Sequence, residues 1–154
     1  MKFETPHRLF ALTGVLLILS SSACAQAEHA HENDIRVEIV GLRNDNGHVV
    51  CALYSSAVDF PKKMEKAVAR ADSVISNRHA VCDFPRVAPG SYAISVIHDE
   101  NSNGKLDTNL MGIPREGVGA SNDAKGHFGP PKFAAGAFSF PGGRLALKIT
   151  INYL

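Results

Sequence analysis

Asp99, Asn101, Asn103 and Asp107 stand at alternate positions of one short polar run, Asp99-Glu100-Asn101-Ser102-Asn103-Gly104-Lys105-Leu106-Asp107. Oxygen ligands spaced in this way let a tight loop wrap a hard cation: they fall at positions 1, 3, 5 and 9 of the calcium-loop pattern, with Gly104 at the sharp turn. Lys105 offers its backbone carbonyl, and Leu106 offers an apolar anchor. The pattern breaks at position 12, where Leu110 replaces the usual bidentate Glu. The remaining ligand would come from water or from a later acidic residue, Glu116 or Asp123. The lead-in, Tyr92 to Ile97, alternates with the period of a strand, so this is not an EF-hand but the same loop chemistry hung on a β-strand. The spacing predicts a structural calcium ion held by Asp99, Asn101, Asn103, Lys105 and Asp107. The same residues also make an Asx-rich turn that needs no ion, since Asn and Asp bond their own backbone. Both readings stay open.

Two histidines offer a different chemistry. His98, beside Asp99, and His127, farther along, could form an acid-base pair or, with Glu116, a transition-metal site, because imidazole titrates near neutral pH and ligates metals. No nucleophile motif, HExxH pair or reactive Cys–His arrangement accompanies them. Binding is therefore expected ahead of catalysis. Carbohydrate recognition at a calcium loop is a further alternative, ranked lower because the chain has no Trp to serve as a sugar platform.

These residues need elements to position them. Ile35, Val37 and Ile39 alternate with Arg36 and Glu38, and Arg43-Asn44-Asp45-Asn46-Gly47 supplies turn chemistry before His48 to Tyr54, which predicts a β-hairpin with a longer loop. Residues 60–66 read either as a helical turn capped by Asp59 or as an extended crossover to a strand near Ala67 to Val74. Arg78 to Phe84 is another strand, Ala88-Pro89-Gly90-Ser91 turns it into the one beginning at Tyr92, and Leu145 to Tyr153 alternates almost without fault. Short strands between Gly, Pro and Asn turns predict an all-β chain, a single antiparallel β-sandwich over 34–154.

Between Asp99 and Ala137 the alternation stops in a long Gly/Pro-rich stretch. Met111, Ile113, Val118, Phe128, Phe133 and Phe138 are apolar residues that a solvated linker does not need, so one long ordered loop folded back on the sandwich is expected.

The N-terminus reads as a signal peptide over 1–27: Lys2 and Arg8 precede an apolar run, Leu9 to Leu19, and small residues follow. Ala25-Gln26-Ala27 fits a cleavage site, which gives a soluble periplasmic or secreted protein. Ser22-Ala23-Cys24 fits a lipoprotein signal, which gives a lipid anchor on Cys24. A flexible stub, 28–33, follows, with His29 and His31 spaced for a weak transition-metal contact. The whole chain of 154 residues carries 16 basic and 15 acidic side chains, and removing Lys2, Glu4 and Arg8 with the signal leaves the rest neutral. No concentrated positive charge remains for nucleic acid, and no transmembrane span follows the signal. In an oxidising compartment Cys51 and Cys82 are either a disulfide between neighbouring strands or two buried thiols.

Several runs together resemble a bacterial family, the domain-of-unknown-function family 2141. They are Pro89-Gly90-Ser91-Tyr92-Ala93, His98 to Asn109, Gly112-Ile113-Pro114-Arg115-Glu116-Gly117, and Ser121-Asn122 with Gly129-Pro130-Pro131-Lys132-Phe133. The resemblance covers roughly Ile35 to Tyr153. An aromatic often found between Gly119 and Ser121 is replaced by Ala120. The resemblance implies an exported transthyretin-like or immunoglobulin-like β-sandwich with no established activity. The Tyr-Arg-Gly-Ser ending of transthyretin-like hydrolases is absent, since the chain ends Ile151-Asn152-Tyr153-Leu154. The expected protein is a non-enzymatic binding or scaffold module of the cell envelope whose partner is an envelope protein or a glycan.

Overall fold

The computed structural model describes residues 33–127 and 129–154, together with Met1. The expected signal peptide, Cys24, His29, His31 and Phe128 lie outside the described residues. Asn33, at the end of the expected stub, is tied down: its carbonyl accepts from Val87 N (3.0 Å) and its side-chain oxygen from Gly143 N (2.8 Å).

Among the described residues eight strands form: β1 (Asp34–Val40), β2 (His48–Tyr54), β3 (Ala69–Val74), β4 (Ala80–Pro85), β5 (Gly90–Asp99), β6 (Gly117–Ala120), β7 (Phe138–Phe140) and β8 (Arg144–Thr150). They make two sheets, ordered β4-β1-β8 and β3-β2-β5-β6, with β7 paired to β5. This is the expected all-β sandwich, with one pairing that departs from the antiparallel rule. β1 and β8 run parallel, from Asp34 opposite Arg144 to Val40 opposite Thr150. The rest of the chain serves as their crossover.

The hairpin expected between β1 and β2 does not form, because the two strands belong to different sheets. The connection turns the edge of the sandwich on Gly41 (φ 79°) and Gly47 (φ 64°). At Gly47 a Cβ would sit 2.8 Å from the carbonyl carbon of Glu100, so only glycine lets the two loops touch. β2 pairs with β3 and β5 instead.

The core lies between the sheets. Ile35, Val37 and Ile39 of β1 meet Val49, Cys51 and Leu53 of β2 and Ile94 and Val96 of β5, all at most 1 % exposed. Cys51 and Cys82 form a disulfide, with Cα atoms 6.6 Å apart. It joins one sheet to the other rather than neighbouring strands of one sheet, since β2 and β4 lie in different sheets. A second apolar cluster covers the other face of the large sheet: Ala52, Tyr54, Phe60, Ala93 and Ala120, with Met64 and Phe133 packed against them. Burial on both faces is why β2 and β5 read as nearly continuous apolar runs.

Strand β6 has glycines where side chains from β8's continuation pass. A Cβ at Gly117 would lie 2.6 Å from the Tyr153 ring, and one at Gly119 would lie 2.9 Å from Ile149 Cγ2. Val118 and Asn152 exchange backbone hydrogen bonds of 2.9 Å, which closes this side of the sandwich. Among the described residues no helix is long and apolar enough to cross a membrane.

Candidate functional site

β5 delivers Asp99 to its outward end, on the face opposite the inter-sheet core, where the residue is fully buried. Its Oδ1 accepts from Asn103 N (3.0 Å) and its Oδ2 from Gly104 N (2.6 Å). Asn101 Oδ1 accepts from Asn103 N (3.1 Å), and Asn103 Oδ1 accepts from Lys105 N (2.8 Å). The side-chain amides of Asn101 and Asn103 then donate to the two oxygens of Asp107, at 2.7 and 3.1 Å. Thus Asp99, Asn101, Asn103 and Asp107 converge on one loop. Ser102 (φ 58°) and Gly104 (φ 75°) make its turn in the left-handed region.

Glu116 joins them from the end of the long connection. It is 4 % exposed, and its oxygens accept from Glu100 N (3.0 Å) and Asp107 N (2.9 Å), so it stitches both ends of the loop together. Asp123 is engaged elsewhere, accepting from Thr150 N (2.8 Å). It follows Ala120, at the end of β6 remote from the loop, since Gly117 is the β6 residue paired beside Asp99. All of these acceptors are hard oxygens, and each retains lone pairs beyond the bonds named. That donor chemistry suits calcium; it also sustains the loop by its own hydrogen bonds. Among the described residues no three His, Cys, Asp or Glu side chains form a metal cluster.

The two histidines are not brought together. His98 is fully buried on the core side of β5: Nε2 donates to the Asn46 carbonyl (2.8 Å), and Nδ1 accepts from the Tyr153 hydroxyl (2.6 Å). The Tyr153 oxygen in turn accepts from Arg43 N (3.0 Å). His127 lines a groove over Ser95 and Ile97, which alternate with His98 along β5 and face the other way. Around the first histidine, Arg43 stacks on the Tyr153 ring at 4.4 Å and pairs in bidentate fashion with Glu100. The hydrogen bond from Arg43 holds the Glu100 carboxyl below its usual range against the opposing effect of burial, and Asn44 assists. Burial pushes the Tyr153 hydroxyl up.

The long connection folds back as expected. Its first part is a finger: Arg115 N bonds Asp107 O (2.9 Å), Asn109 N bonds Ile113 O (2.8 Å), and Leu110 and Met111 project from the tip, 106 % and 80 % exposed. Its far part is latched to the sheet, because Ser121 Oγ accepts from Ile94 N (2.9 Å) and donates to Gly136 O (2.5 Å). Between connection and sheet lies an open groove of about 1060 Å³. Ser95, Ile97 and Val118 are among the residues of its floor, and Met64, Met111 and Ile113 among those of its walls. Sequence reasoning missed this groove; the two-sided apolar run Val49 to Tyr54 was the signal that something covers the outer face.

A family described as an uncharacterized protein conserved in bacteria, DUF2141, matches the chain over residues 37–147. No curated protein and no solved structure matches it.

Proposed function

The chain belongs to the bacterial family DUF2141, and from that kinship and the geometry above we propose an exported cell-envelope protein that acts by binding rather than catalysis. Its binding surface is the groove over the outer face of the large sheet, and a structural calcium ion in the Asp99–Asp107 loop fixes the groove's wall. The observation that carries this reading is the convergence of Asp99, Asn101, Asn103 and Asp107 where the finger leaves the sheet, with Glu116 closing the base. Two carboxylates and two amides balance the ion's charge without a large excess, so affinity belongs to the weak extracellular range of about 10⁻⁴ to 10⁻³ M. The signal-like N-terminus supports a location in the periplasm or outside the cell, and a lipid on Cys24 would tether the same domain to a membrane.

A thermal melt in millimolar calcium and in chelator tests the metal. A ligand bound only by the folded state raises the midpoint by mass action, here by roughly 3–8 °C. The shift should be lost in Asp107→Asn, which keeps the size of the side chain, and in the Asp99→Ala/Asp107→Ala double variant. Equal midpoints with and without calcium would make the loop a self-bonded Asx turn.

A further inference from the structure

Lys62, Arg70 and Lys125 line one end of the groove, and the lining of the other end is mainly aliphatic. The register places Arg70, Ala52, Ser95 and Ala120 abreast across β3, β2, β5 and β6, and Asp72, Val50, Ile97 and Val118 in the row nearer the metal-type loop. In the first row the residues flanking Ser95 are both alanines, which leaves a low trough above it. Ser95 is 4 % exposed, lines the groove, and its Oγ has no hydrogen-bond partner. The neighbouring Tyr54 hydroxyl donates to the Pro61 carbonyl instead (3.3 Å). A buried hydroxyl left unpaired costs free energy; this one lies just under the groove floor beside the Tyr54 hydroxyl, and a turn of the Ser95 side chain would bring it to a ligand oxygen.

Cationic side chains gather at the same end. Arg70 shares the row, Lys62 follows the Pro61 that Tyr54 holds, and Lys125 follows the 3₁₀ turn Ser121–Asp123 that leaves β6 just past Ala120. Arg70 is paired with Asp72 at 3.5 Å, whereas Lys62 and Lys125 form no ion pair among the described residues. Glu65 is the acidic side chain lining the groove. Toward the other end Ile97, Val118, Leu106, Met111 and Ile113 make a mainly aliphatic lining, with Lys105 and Thr108 beside Leu106. Unbranched thioethers adapt to flexible ligands, and the chain has no Trp on which a sugar could stack.

We infer that the groove binds a single-chain amphipathic carboxylate of the fatty-acid class, its head bonded to Ser95 Oγ and facing Lys62, Arg70 and Lys125, its tail over Ile97 and Val118 under the finger. This assignment rests on the reading of the groove as the binding surface and names the ligand class for it.

The test is calorimetric titration of the mature protein with dodecanoate below its micellar concentration and, in parallel, with dodecyltrimethylammonium, which has the same tail and the opposite charge. Saturable binding of one dodecanoate per chain, with no binding of the cation, is expected. Lys62→Gln/Lys125→Gln should weaken dodecanoate about tenfold, and Met111→Glu, at an exposed position that does not endanger folding, should weaken it as well. Ser95→Ala separates a ligand role from a structural one: it should leave the ligand-free melting midpoint unchanged or higher, since it removes an unpaired group, while lowering affinity. Absence of saturable binding, equal binding of both amphiphiles, or indifference to all three variants overturns the assignment. Repeating the titration in chelator keeps the two readings apart. No dodecanoate binding in calcium, with a calcium-dependent melt intact, refutes the ligand alone, and dodecanoate binding that is equal in calcium and in chelator, with no calcium effect on the melt, refutes the metal alone.

Discussion

Glu116 shows how one side chain can set the shape of a loop it does not belong to. Both of its oxygens accept backbone N–H groups, one from each end of the Asp99–Asp107 turn, and the residue is buried. Glu116→Gln keeps the volume but replaces one acceptor with an amide N–H pointed at a backbone N–H. An unsatisfied buried donor pair of this kind costs about 1–3 kcal/mol, which urea denaturation would read as a lower midpoint at unchanged slope. Equal midpoints would mean that the loop holds its shape without the clamp. In the sequence Glu116 was a candidate for the missing ligand only as a later acidic residue, beside Asp123 and water, and the structure puts its side chain at the loop's base. The sequence could not reveal that Glu116 reaches the loop through backbone N–H groups, because backbone partners leave no trace in residue identity. Asp123 was an equally reasonable candidate by composition; its distance from the loop follows from β6, whose pairing carries it to the strand's other end.

At the scale of elements, legibility tracked how cleanly one face of a strand was apolar. β1, β4 and the run leading into β8's end alternate, and all were readable in the sequence. β6 was not: Gly117-Val118-Gly119-Ala120 has no strand-like composition, because Ile149, Ile151 and Tyr153 occupy the space that larger side chains would need. The mistaken hairpin between β1 and β2 has a similar origin. Turn-forming residues mark where the chain bends, and they do not say whether the next strand pairs with the last or crosses to the facing sheet. The disulfide depends on that crossing, since β2 and β4 face each other across the core. Closing a link across 31 residues restrains the unfolded chain, and the Cys51→Ala/Cys82→Ala variant should lose about 2–4 kcal/mol. Reduction of the wild-type protein should lower the denaturation midpoint to nearly that of the variant. An unchanged midpoint on reduction would mean that the bridge contributes nothing to stability.

Over the whole molecule, the Arg43–Glu100 pair ties the β1–β2 connection to the start of the metal-type loop, and through Tyr153 to the chain's last residues. Because the folded protein holds the Glu100 carboxyl below its ordinary value, the ionised form favours folding. That stabilisation is present above the unfolded value of about 4.3 and is lost as the pH falls through the lower folded value. Glu100→Gln should therefore be less stable than wild type at neutral pH, by about 1 kcal/mol or less given the solvent around Arg43, and the gap should close in acid. A gap of the same size at every pH would assign the effect to packing.

The parallel seam between β1 and β8 governs the order in which this molecule can come into being. β1 sits in the middle of its sheet, with β4 on one side and the last strand on the other. A polypeptide delivered N-terminus first, whether from a ribosome or through a narrow translocation pore, presents β1 among its earliest structured residues and cannot satisfy that strand's second edge until nearly everything else has emerged. Long-range pairing of this kind is slow, since the ends must meet before any contact rewards them. The sheet around β1 is therefore completed late: its second edge waits until residues 144–150 have been made and can pair with it.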